Sequence, residues 1–155
     1  MELSPYLQNI RSRVGHDLVL LPAVSVHVVD DLGRLLLVRQ SDSGRWGTVG
    51  GAIEPGESPS QAGVREALEE TGLVVRLERL VAALGGPDFY VTYSNGDEVS
   101  YISIVYEASV EGGRLQPDGQ EVLEARWFTS EELTSLDLNP LTAALLRQVG
   151  RLPAP

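Results

Sequence analysis

Apolar and polar positions fall into segments of distinct period along this chain, and the period predicts the element in each. Tyr6, Leu7, Ile10 and Val14 recur at helical spacing, Ser4 is placed to cap, Pro5 stands at the first helical position and Gly15 follows the end, so residues 5–14 are expected as a helix. Val24 to Val29 is β-branched and alternating. Asp30-Asp31-Leu32-Gly33 then turns the chain into Arg34 to Arg39, and the two runs are expected as a hairpin. Pro59 to Thr71 reads as a helix with Val64, Ala67, Leu68 and Thr71 as its buried stripe. Val74 to Leu84 continues as strand. Phe89 to Tyr93 and Val99 to Val110 are expected as an antiparallel pair joined through Asn95-Gly96. A last strand over Val122 to Phe128, a capped helix start at Thr129 to Leu133 and a helix from Asn139-Pro140 to about Val149, with Leu141, Leu145 and Leu146 inward, complete the series. Strands mixed with helices in this order predict a mixed sheet with helices on both faces.

A chain of 155 residues fits one domain, 1–155, with residues 1–15 as a helical extension at its start. The balance of 12 basic against 22 acidic residues gives a net charge of -10, which argues against nucleic acid or an anionic membrane as partner. A small phosphorylated ligand stays open, because cations held by carboxylates invert the local sign. With no cysteine, disulfides, thiolate metal sites and cysteine nucleophiles are excluded, in keeping with a cytoplasmic setting. The apolar run Leu18 to Val29 is broken by Pro22 and His27 and is too short to span a bilayer, so no leader or membrane segment is expected. His27 reads as a satisfied core or edge residue.

The densest chemistry lies between Gly50 and Leu73. On a helix over residues 59–71, Glu66, Glu69 and Glu70 share a face and converge. Like charges at such spacings are each unfavourable by roughly 0.2–0.5 kcal/mol unless a cation sits among them. Oxygen-only donors favour Mg2+ or Mn2+ over zinc. Gly50 and Gly51 permit close backbone approach, and Gly56 permits a sharp turn into the helix start at Ser58-Pro59.

This stretch resembles the signature box of the Nudix hydrolases, G-x5-E-x7-R-E-U-x-E-E-x-G-U, with U a bulky aliphatic residue. Gly51, Glu57, Arg65, Glu66, Ala67, Leu68, Glu69, Glu70, Gly72 and Leu73 fall in its frame. Ala67 is small where a larger aliphatic is common, a departure that touches packing rather than chemistry. The resemblance continues through Leu35 to Arg39 and Trp46 to Gly51, with Val49 where many members have proline, and through Arg126-Trp127-Phe128.

What the resemblance implies is an α/β/α sandwich around a mixed sheet and Mg2+-dependent hydrolysis (or Mn2+-dependent) of a nucleoside diphosphate linked to another moiety. It implies Glu69 and Glu70 as metal ligands with the Gly50 carbonyl, Glu66 as ligand or general base, Arg65 orienting the carboxylates and Glu57 bracing the loop. Glu121 is the leading further acid, as ligand or base, ahead of Glu98 and Asp118. Trp46, Tyr90, Phe89 and Tyr93 are candidate base-stacking residues, and Arg39 a candidate phosphate contact. Pro87 and Tyr90, 14 and 17 residues past the box, resemble members acting on ADP-ribose and on diadenosine polyphosphates respectively, and nucleoside triphosphates fit as well. The alternative is a non-catalytic nucleotide sensor on the same fold. The N-terminal helix and exposed strand edges suggest a homodimer.

Overall fold

The computed structural model describes residues 3–155. Its elements in chain order are α1 (Pro5–Val14), β1 (Val19–Val28), β2 (Leu35–Gln40), β3 (Trp46–Ala52), α2 (Pro59–Thr71), β4 (Leu73–Leu84), a 3-10 turn (Pro87–Phe89), β5 (Tyr90–Thr92), β6 (Glu98–Gly113), β7 (Val122–Phe128), α3 (Ser130–Leu133) and α4 (Pro140–Gln148). The strands run in the order β4-β6-β1-β3-β2-β7, with β5 also on β6. Among the described residues β1 and β6 are the only strands paired in parallel, so the sheet is mixed. Among the described residues no helix is long and apolar enough to cross a membrane.

The predicted hairpin over residues 24–39 does not form. β1 and β2 meet at a single bridge, Val29 to Leu35, and then part. β3 fills the gap, its first half pairing with β2 at Thr48, Gly47 and Trp46 and its second half with β1 from Val49 to Ala52. The cause lies in β2 itself, whose first four residues are all buried. Leu36 and Val38 enter a core with Val24, Val26, Val28, Val49, Ala62 and Ala67, whereas Leu35 and Leu37 enter a second core with Phe89, Val105, Phe128, Leu133, Leu145 and Leu146. A strand covered on both faces needs a neighbour on both edges, which a hairpin partner alone cannot give.

β1 also begins earlier than expected, at Val19, with Pro22 inside it. The proline costs no ladder bond. β3 ends at Ala52, opposite Ala23, and the last tie on that edge is the Ile53 N–H donating to the Pro22 carbonyl at 3.1 Å.

Helix α2 starts where the sequence says it should. The Ser58 hydroxyl accepts from the Gln61 N–H at 3.2 Å and the Gln61 side chain accepts from the Ser58 N–H at 2.8 Å, a reciprocal cap. Its buried stripe is Ala62, Gly63, Ala67 and Thr71, while Val64 and Leu68, expected inside, are exposed at 38% and 50%. Small residues face the sheet, so the helix lies close to it: a Cβ at Gly63 would stand 3.2 Å from the Val26 side chain. That rotation brings Glu66 and Glu70 inward and leaves the larger aliphatics outside.

α1 buries no residue. It is tied down by Arg11, which donates to the carbonyls of Gly15, Asp17 and Glu98, and by His16, whose Nδ1 lies 2.6 Å from Asp97 Oδ1.

Candidate active site

β3 and α2 build the site between them. Gly50 has φ 148°, and a side chain there would run into the Val24 carbonyl, so the backbone passes where only glycine fits. Its N–H donates to Glu70 Oε2 at 3.0 Å. At Gly51 a Cβ would lie 2.6 Å from Glu66 Oε1, so the absent side chain is the space the Glu66 carboxylate occupies.

One guanidinium organises the acids around it. Arg65 Nε and Nη2 donate to the two carboxylate oxygens of Glu57 at 2.7 and 3.0 Å, Nη1 donates to Glu66 Oε1 at 2.7 Å and Glu69 Oε2 at 3.0 Å, and Nη2 also reaches the Ala52 carbonyl at 3.2 Å. Such a planar fork grips Glu57 with two parallel bonds while reaching two further carboxylates, a geometry a lysine ammonium does not reproduce. Arg65 holds the Glu57 carboxyl below its ordinary range, aided by the Glu54 N–H, and the Arg65 guanidinium is itself pushed upward, Glu57 first and Glu66 next.

The electrostatics of the other two acids run the opposite way. Burial pushes Glu66 up, the charges of Glu69 and Glu121 add to it, and the Arg65 bond offsets it in part. Glu70 is driven well above the carboxylate range, by burial first and then by Glu66, with Glu121 and Asp118 contributing and the Gly50 N–H opposing. These two half-buried carboxylates are held separately, Glu70 by the Gly50 amide and Glu66 by the arginine it shares with Glu57 and Glu69.

Glu69 meets Glu66 at Arg65 Nη1, but from the more exposed side. Its side chain is 59% exposed and turned to Arg65, on the outer rim. The physical reason is the same rotation of α2, which aims positions 66 and 70 at β3 and position 69 at solvent. Among the described residues no three His, Asp or Glu side chains form a ready cage for a cation. The donor chemistry nonetheless fits Mg2+ or Mn2+: Glu66 and Glu70 offer hard oxygens, each raised first by burial, beside the acid Glu121.

Of the candidate substrate residues, Arg39 and Trp46 come together as a cross-strand pair of β2 and β3. Arg39 Nε lies 3.5 Å from Glu124 Oε2. Trp46 stands edge-on to Phe128, centroids 4.8 Å apart at 77°, and its backbone is tied to Asp137 and Asn139, which makes it a wall of the second core. Tyr90 lies apart on β5, its hydroxyl engaged by Glu98. Phe89 is fully buried and so is core, not a stacking surface. The Tyr93 hydroxyl pairs with that of Tyr101 at 2.6 Å. His27, expected to be satisfied, is fully buried with neither ring nitrogen hydrogen bonded.

Sequence reasoning missed a polar chain behind Gly50. The Ser25 hydroxyl, opposite Gly50 on β1, donates to Thr48 Oγ1 at 2.9 Å; the Thr48 N–H donates to Thr142 Oγ1 at 3.1 Å. Asn139 then caps α4 by accepting from the Thr142 N–H at 2.7 Å and donates to the Gln40 side chain at 2.9 Å. Only the Asn139-Pro140 cap signal pointed toward it.

A family model described as the NUDIX domain matches residues 19–149. A relative from Bacillus subtilis, provisionally named an 8-oxo-dGTP diphosphatase, is 32% identical over 108 residues, covering 70% of this chain and 66% of that protein, so the match spans less than two thirds of that relative's length. An ADP-ribose pyrophosphatase of Methanocaldococcus jannaschii is 32% identical over 123 residues, 77% of this chain and 69% of that one. Among solved structures, one described as a UDP-X diphosphatase superposes with a TM-score of 0.67 at 26% identity, covering 96% of this chain and 71% of that chain. With its box residues gathered on β3 and α2, this chain belongs to the Nudix family.

Proposed function

We propose that this protein hydrolyses a phosphoric anhydride bond in a nucleoside diphosphate joined to a second group, using Mg2+ or Mn2+. The observation that carries the reading is the half-buried pair Glu66 and Glu70 against Gly50 and Gly51, where Glu66 repels Glu70, Arg65 holds Glu66 and the Gly50 N–H holds Glu70. Relatives named for 8-oxo-dGTP, ADP-ribose and a UDP-linked compound support a substrate of this class.

Glu66, Glu70 and Glu121, with the Gly50 carbonyl, would hold the cation, and Glu69 would join by swinging in from the rim. A divalent cation supplies the positive charge that a polyanionic pyrophosphate needs in an acidic cleft. The remaining work falls to the chain. Arg65 keeps Glu57 and Glu66 in fixed relation, the Gly50 N–H orients Glu70, and Glu66 or Glu121 takes the proton of the attacking water.

The test is a Mg2+-dependent release assay over nucleoside triphosphates, ADP-ribose, nucleotide sugars and dinucleoside polyphosphates, with the wild type beside Glu70→Gln. We expect turnover of at least one class and its loss by about a hundredfold or more in the variant, which stays folded. Near-normal rates in Glu70→Gln would remove the metal assignment, and a wild type inert across the panel would turn the reading toward a nucleotide sensor.

A further inference from the structure

The strand β7 is entered through a short loop that carries Glu121, and one carboxylate oxygen closes that loop. Asp118 Oδ1 accepts from the backbone N–H groups of Gln120, Glu121 and Val122 at 3.0, 3.1 and 2.9 Å. The Gly119 N–H donates to the Val122 carbonyl at 3.0 Å, and the Glu121 carbonyl accepts from the Ser41 N–H at 2.9 Å. Five bonds therefore fix the backbone on either side of Glu121, three of them on a single atom.

Two acids in this loop competed on the sequence as the acid from outside the box, and the structure separates them. Asp118 spends the lone pairs of Oδ1 on backbone donors, and although burial opposes it those donors hold its carboxyl below the usual range. Glu121 is exposed and its charge reaches both Glu66 and Glu70, while that of Asp118 reaches Glu70. An exposed glutamate on an unsupported loop would sample many positions; here the backbone that carries Glu121 is held.

We propose that Asp118 is a positioning residue, which acts by closing the 118–122 loop so that Glu121 is presented to Glu66 and Glu70. This rests on the pyrophosphohydrolase reading above, whose acid Glu121 it places. Asp118 touches no substrate and transfers no proton. Its part is that of an outer partner, the kind whose loss typically lowers activity about 10- to 100-fold.

Two measurements test it. In the metal-free protein, amide hydrogen exchange at Gln120, Glu121 and Val122 should speed by roughly tenfold or more in Asp118→Ala and stay near wild type in Asp118→Asn, whose amide oxygen still accepts. In the release assay, Asp118→Ala should lower kcat about 10- to 100-fold with KM little changed, Asp118→Asn should recover most of it, and Asp118→Ala should cost less than about twofold more when Glu121 is already Gln. An equal loss in the Glu121→Gln background would mean that Asp118 does not act through Glu121. Unchanged exchange in Asp118→Ala would overturn the loop role with the reaction intact, whereas a wild type that hydrolyses nothing, with the exchange result as expected, would overturn the reaction and leave the loop closure standing.

Discussion

Replacing His27 by leucine should remove most of this protein's loss of stability in mild acid that is not due to its carboxylates. His27 lies mid-strand in β1 with no exposed surface and no hydrogen bond to either ring nitrogen. Burial first, and the charge of Arg151 second, lower its pKa from 6.5 to about 3. Arg151 itself is held by Glu107 on β6, at 3.0 Å. The folded state therefore keeps the imidazole neutral while the unfolded chain binds a proton below pH 6.5. Stability from this group is complete above pH 6.5 and falls as the pH drops toward about 3. Each pH unit in that window is worth about 1.4 kcal/mol, so the shift amounts to about 4–5 kcal/mol in all, and to about 2–3 kcal/mol by pH 4.5. That is a large share of a typical 5–15 kcal/mol total. Urea unfolding of wild type and His27→Leu at pH 7 and pH 4.5 gives the comparison directly, because the carboxylates contribute equally to both. The wild type should lose about 2–3 kcal/mol more than the variant over that interval. At pH 7 the variant should be at least as stable, since it no longer buries two unpaired nitrogens at about 1–3 kcal/mol each. Equal losses in the two proteins would show that His27 is hydrated or protonated in the fold, and the reasoning would fail.

Gly51→Ala should lower kcat sharply while costing only about 1–3 kcal/mol of stability, because the added methyl displaces the Glu66 carboxylate; paired kinetics and thermal melts distinguish this from simple unfolding. Arg65→Lys keeps the charge but loses the fork that spans Glu57, Glu66 and Glu69, and its activity should fall about 10- to 100-fold without rescue by extra Mg2+. Asn139→Ala removes the α4 cap and the link to Gln40 together, at a cost of about 1–2 kcal/mol in chemical denaturation.

Helix positions were legible because their ends carry local chemistry. Ser4-Pro5 with Gly15, Ser58-Pro59 with Gly72, and Asn139-Pro140 each set a boundary through bonds made within a few residues. The β1–β2 relation was not legible, because a run such as Leu35 to Val38, buried throughout, has no period to show which edge pairs with what. Within the site, the motif located Arg65, Glu66, Glu69 and Glu70 on one helix but not its rotation. Rotation depends on Ala62, Gly63 and Ala67 meeting the sheet, a tertiary fact, and it alone decides that Glu66 and Glu70 turn inward while Glu69 does not. The loop closure at Asp118 was equally hidden, since one aspartate in a loop looks like any other until the N–H groups that donate to it are counted.

The alternation of β2 between the two cores has a thermodynamic consequence. Leu36 and Val38 anchor one half of the molecule and Leu35 and Leu37 the other, along a single backbone. Neither half can melt without withdrawing the strand that the other requires, so unfolding should be a single transition. A ligand that touches only the α2 side would then raise the melting temperature of the α4 side by the same amount, and a spectroscopic probe at Trp46 or Trp127 would report binding equally well.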